Sequence, residues 1–161
     1  MSDAEPLWFD ELSLGMSMRS PARAVTEADI VAFAALSGDW NPMHSDAETA
    51  ALGHFGQRVA HGLLGQAIAS GLFTRTRLSQ RLQPYLVPLL GIEWRFEAPI
   101  LIGDTIHVDV EVTDLRSTHG GRGVVVLSRR VVNQTGVRVQ SGTTTMLIRG
   151  RANADHQEPI R

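Results

Sequence analysis

The chain has 161 residues, a length that fits one domain and buries a sizeable core without disulfides or metals. Apolar residues make up 43% and charged ones 20%, and fifteen basic against seventeen acidic residues give a formal net charge of −2. That balance excludes a strongly basic nucleic-acid footprint and a polybasic membrane patch. Cysteine is absent and every basic residue is arginine, which removes disulfides, thiolate chemistry, Cys-based metal sites and lysine Schiff bases. No apolar run reaches the roughly 18 residues of a membrane span, and the acidic N-terminus lacks the basic stretch of a signal peptide. The expectation is a cytoplasmic protein with neither membrane nor nucleic acid as partner.

In chain order, Thr26 to Ser37 reads as an amphipathic helix, with Thr26 as N-cap, Asp29 as its acidic capping partner and Gly38 placed to end it. Gly38 to His44 is polar and irregular, with Asn41 biased away from helix by Pro42. Ser45 to Leu52 predicts a short helix, Ser45 and Glu48 having capping-box spacing. Ala60 to Leu78 is apolar nearly all round and rich in small residues, the pattern of a helix buried against a sheet, until polar residues return at Thr74. The second half predicts four strands, at Leu89–Ala98, Thr105–Leu115, Gly123–Asn133 and Val137–Ile148, joined by Gly- and Asn-rich turns as an antiparallel meander. Together these give an α+β fold, residues 1–149 forming one domain and residues 150–161 a polar, flexible tail.

The chemistry-bearing residues are few. Asp39, Asn41 and His44 fall within six residues, and a carboxylate beside an imidazole can handle one water molecule. The same residues also read as a turn, a cap and a surface histidine. Gly62 stands at the start of the buried helix, where unpaired amides and the helix dipole favour a ligand carbonyl, or where close packing alone needs a glycine. Ser70, eight residues on, bonds its own helix or orients a carboxylate such as Asp39. Leu63, Leu64, Ile68, Leu72 and Phe73 line or support an apolar tunnel beside that helix. The spacing of His44, His54 and His61 fits no familiar zinc pattern, and Gly120, Gly121 and Gly123 read as a hairpin. Trp8, Trp40 and Trp94 read as packing anchors, and Arg75, Arg77 and Arg81 as a solvated helix end.

Ser37-Gly38-Asp39-Trp40-Asn41-Pro42-Met43-His44 resembles the hydratase motif S/T-G-D-x-N-P-x-H of the MaoC-like dehydratases, which include the (R)-specific enoyl-CoA hydratases. Val59 to Leu64 follows at that family's usual distance. Phe9 to Leu12 with Gly15 is similar to its first strand and turn, and Phe96 to Ile100 with Gly103 to Thr105 to its segment after the helix. The resemblance implies a hotdog fold, an antiparallel sheet wrapped around a long central helix, in a homodimer or dimer of dimers with sites at the interface. It implies Asp39 and His44 as catalytic residues, Gly62 as oxyanion amide, and Asn41 and Ser70 in support. It implies reversible syn addition of water to a trans-2-enoyl thioester, giving an (R)-3-hydroxyacyl thioester. No metal or redox cofactor is implied, coenzyme A or a carrier arm being part of the substrate. A hotdog acyl-CoA thioesterase and a non-catalytic acyl-CoA-binding subunit are the alternatives.

Overall fold

The computed structural model describes residues 5–153. Thr26 caps helix α1 (Glu27–Ser37) in a capping box with Asp29, and Gly38 ends it in the left-handed conformation at φ 77°, as the residue pattern predicts. Pro42 then starts a short helix α2 (Pro42–Ser45), with the Asn41 side chain accepting from the Met43 amide. The stretch expected to be irregular is therefore helical at its end, because Pro at the first helical position and Asn before it form a ready N-terminus. Helix α3 (Ala47–Ala51) follows one residue later. Its cap is Asp46 and not Ser45: the carboxylate accepts two amide hydrogen bonds, while the Ser45 hydroxyl turns back to the Trp40 carbonyl.

The buried helix α4 spans Gly62–Thr74. The expected single helix to Leu78 breaks at Arg75, and Thr76 caps a separate helix α5 (Arg77–Leu82) by accepting from the Ser79 amide. Ala69 and Leu72 of α4 are almost fully enclosed against the sheet.

The long strands are β3 (Leu86–Phe96), β4 (Thr105–Thr118), β5 (Arg122–Val132) and β6 (Arg138–Arg149), preceded by the short β1 (Ser17–Arg19) and β2 (Arg23–Ala24). All pairings are antiparallel, in the order β1-β4-β5-β6-β3, with β2 also on β4. The meander holds only for β4-β5-β6, since β3 crosses to the far edge and pairs with β6, as Trp94 opposite Gly142 shows. Inward residues alternate along the strands, including Ile106, Val108, Val110 and Val112 of β4, and α4 packs on this face. A sheet wrapped around one buried helix is the hotdog arrangement. Edge strand β3 leaves Leu89, Leu90, Ile92 and Phe96 about half exposed, at 53, 52, 47 and 56%.

Two terminal expectations change. Phe9–Glu11 is a 3-10 turn and not a strand, because the Glu11 carboxylate accepts from the Trp8 amide and closes the turn. Gly15 does turn the chain, at φ 81°. Gly150 and Arg151 are docked and not loose: their amides donate to the Gly121 carbonyl and the Asp10 carboxylate, each at 2.7 Å. The rest of the expected tail, 154–161, lies outside the described residues. Among the described residues no helix is long and apolar enough to cross a membrane.

Candidate active site

The end of α1 fixes the first functional group. Gly38 reverses the chain, and Asp39 follows in an Asx-type turn, its Oδ1 accepting from the Asn41 amide at 3.2 Å. Asn41 is spent on capping α2, and so shapes the turn between Asp39 and His44. His44 is 7% exposed, and its Nδ1 lies 2.8 Å from the Val59 carbonyl. A carbonyl only accepts, so Nδ1 carries the hydrogen and Nε2 of the neutral ring keeps its lone pair. Val59 is itself held, by its amide to the Met43 carbonyl and by an isolated bridge to Leu101.

His61 is stacked beside His44, ring centroids 3.9 Å apart, and its Nε2–H donates to the Asp39 carbonyl at 2.9 Å. Its Nδ1 is buried with no partner. One carboxylate oxygen of Asp39 and one ring nitrogen each of His44 and His61 lie within 4.8 Å of one another. His54, the third residue of the weak histidine spacing, is not among them.

Gly62 begins α4, so its amide is among the N–H groups without an intrahelical acceptor. An alanine Cβ here would stand 2.8 Å from the Phe96 ring, so the glycine is required for Phe96 to approach. The Gly62 carbonyl accepts from Gln140 Nε2 at 3.0 Å, and Gln140 Oε1 accepts from Trp94 Nε1 at 3.0 Å. Gln140 is a positioning residue that the motifs do not reveal. It lies 78 positions from Gly62, and only its place among the inward residues of β6 marks it.

A cleft of about 440 Å³ opens over His44 and Gly62, walled by Met43, Phe55, Leu63 and Phe96. Of the expected apolar lining, Leu63 faces this cleft, 60% exposed. Leu64 and Ile68 are each 7% exposed and turn to a different hollow, shared with Phe33 and Leu36 of α1. A helix rotates about 100° per residue, so one stripe cannot serve both. Ser70 is not brought to Asp39 within the chain. It lies about 12 Å along α4 from Gly62 and lines another cleft with Phe73, Trp94, Arg129 and Thr144.

The family model described as MaoC like domain matches residues 11–135. The chain is 36% identical over 115 residues to the (R)-specific enoyl-CoA hydratase of Aeromonas caviae, covering 71% of this chain and 80% of that protein. It is 42% identical over 102 residues to the protein MaoC of Klebsiella aerogenes, covering 63% of this chain but only 29% of that longer protein. A solved MaoC-like dehydratase from Rhodospirillum rubrum superposes with a TM-score of 0.81 at 28% identity, over 90% of this chain and 98% of the other.

Proposed function

Because the chain belongs to the MaoC-like domain family, we propose that it is an (R)-specific enoyl-CoA hydratase, adding water reversibly to a trans-2-enoyl thioester. The observation that carries this reading is His44, whose Nδ1–H is tied to the Val59 carbonyl so that the Nε2 lone pair is left free, with a ring nitrogen within 4.8 Å of an Asp39 carboxylate oxygen and the ring lining one cleft with Gly62.

The thioester carbonyl accepts from the Gly62 N–H, where the helix dipole adds to the pull, and C3 of the conjugated double bond becomes electrophilic. Asp39 and His44 hold one water. As its oxygen bonds to C3, Nε2 of His44 takes one proton, and the double-bond electrons move to C2 and the thioester oxygen. The new imidazolium, stabilised by the Asp39 carboxylate, returns that proton to C2 from the same side. One water is consumed, the catalyst is restored, and the single shuttle makes the addition syn. His61 fixes the Asp39 backbone and Gln140 fixes the Gly62 peptide. Neither metal nor redox cofactor takes part.

The exposed apolar row on β3 supports a homodimer paired along this edge. The absence of cysteine is compatible with the cytoplasm as compartment. Sedimentation as a monomer at micromolar concentration would sink the dimer.

Hydration of crotonyl-CoA, followed as loss of enoyl absorbance, tests the reaction. Asp39→Asn and His44→Ala are each expected to lose on the order of 10²- to 10⁴-fold in kcat while remaining folded, His44→Ala with a lower melting temperature because its buried ring is bonded and stacked. Free-thiol release without hydration would assign a thioesterase. Inertness across enoyl-CoA chain lengths, with retained binding, would assign a non-catalytic subunit.

A further inference from the structure

Arg129 is 4% exposed, and among the described residues no hydrogen bond or ion pair reaches its guanidinium. It is the charged member of an otherwise apolar inward row of β5, following Val125 and Leu127 and preceding Val131. The guanidinium carbon lies over the Phe73 ring, 4.1 Å from its centroid, and Arg129 lines a cleft with that ring. Beside it the buried Thr144 Oγ1 is also without a partner, and Ser70 stands on α4 at the same cleft. The cleft holds about 180 Å³, with Leu86, Leu89, Ile92 and Met146 forming an apolar wall; Leu89 and Ile92 belong to the β3 row that pairs in the proposed homodimer, so the cleft borders that edge.

An unpaired buried charge is costly, and arginine cannot escape by neutralising at physiological pH. Burial alone pulls Arg129 down to about 10, which still leaves it cationic there. A planar fork edge, flanked by hydroxyls at the end of an apolar cleft, matches a carboxylate carried on an alkyl chain. We propose that the Arg129 cleft binds the distal carboxylate of the acyl group, so that the substrates are trans-2-enedioyl thioesters rather than simple enoyl thioesters. This rests on the hydratase reading and specifies its substrate class.

The test compares trans-2-enedioyl-CoA thioesters of four, six, eight and ten carbons with the neutral enoyl-CoA thioesters of equal length. Wild type is expected to prefer a carboxylated substrate in kcat/KM. In Arg129→Met that preference falls roughly 10- to 100-fold, the worth of hydrogen bonds to a charged group. The neighbouring Arg130→Met, on the outward face of β5, keeps it. The loss is expected mainly in KM, with a melting temperature for Arg129→Met equal to or above that of wild type, since an uncompensated buried charge is removed. A purely structural arginine would give the opposite: a lower melting temperature and an unchanged preference, which overturns the proposal. Binding of free glutarate that depends on Arg129, without any preference among thioesters, would overturn the substrate assignment and identify a free carboxylate as the ligand. If no thioester is hydrated, the hydratase reading fails. Calorimetric binding of the two thioester series then decides the cleft separately, equal affinities in wild type overturning it.

Discussion

Replacing Gly65 by alanine probes the packing that holds the Gly62 peptide, the proposed oxyanion donor. An added Cβ would lie 2.4 Å from Gln140 Nε2 and 2.5 Å from Ile100 Cδ1, well inside contact distance. Gln140 cannot swing aside freely, because it is 2% exposed and bonded at both ends, to the Gly62 carbonyl and to Trp94 Nε1. Overpacking of this size costs about 1–3 kcal/mol, and each disrupted hydrogen bond about 1 kcal/mol more. The better helix propensity of alanine returns about 1 kcal/mol. The expected net loss is about 2–4 kcal/mol, a fall in melting temperature of roughly 4–16 °C for a chain of this size. Urea unfolding at pH 7 measures it, and crotonyl-CoA turnover should fall with it because the Gly62 peptide shifts. A variant as stable as wild type, or stabilised by the propensity gain, would refute the claim that Gln140 is locked.

Gly62→Ala forces the Phe96 ring away from a Cβ placed 2.8 Å from it, and should cut kcat about tenfold or more. The double variant with Phe96→Ala should recover part of this, and equal activity in single and double variants would place the loss elsewhere. Dialysis against EDTA should leave hydration unchanged despite the Asp39, His44 and His61 cluster, whereas loss of activity restored by zinc would make that cluster a metal centre. Asp29 is raised by burial, but the Thr26 amide and the Arg23 guanidinium, which bonds both its oxygens at 2.6 Å, outweigh this and hold its carboxyl below the usual value. Its stabilising effect is therefore full above pH about 4 and is lost as pH falls towards the lowered value. Asp29→Asn should melt below wild type at pH 7, with the gap closing as the pH drops below about 4; a gap constant with pH would sink this linkage.

What could be read from the residues was local. Thr26, Asp29 and Gly38 specify the two ends of α1 within one stretch of chain, and they set Asp39 at its exit. The hydratase-like motif is equally contiguous, so the neighbourhood of Asp39 and His44 follows from short-range turn and cap chemistry. Contacts across long separations were hidden. Val59 orients His44 from fifteen residues away, and Gln140 reaches Gly62 from the last strand. Strand patterning identifies which residues point inward but not which helix residue they meet, and it cannot show that β3 joins β6. The surroundings of Ser70 are hidden for the same reason. Helical spacing gives its distance from Gly62 but not what lies beside the third turn. Arg129 had a usable signal, since alternation from Val125 and Leu127 places it inward and Arg130 outward.

The buried polar atoms divide according to what they do. Those that hold the fold are paired: Asp104 accepts from the Leu101 amide and Gln134, Ser20 accepts from the Val108 amide, and Gln140 bridges Gly62 and Trp94. Among the described residues, the buried side-chain atoms without a partner are His61 Nδ1, His107 Nε2, Arg129 Nε and Thr144 Oγ1. His107 has Asp109 at 3.8 Å, on the face of β4 away from the core. The other three line the two proposed sites, one beside Asp39 and His44 and two in the Arg129 cleft. The proposed catalytic cleft and the proposed recognition cleft thus lie at opposite ends of α4, whose buried residues pack between them. Loss of apolar contacts such as Leu72 should weaken both ends together, while Arg129→Met should separate recognition from stability.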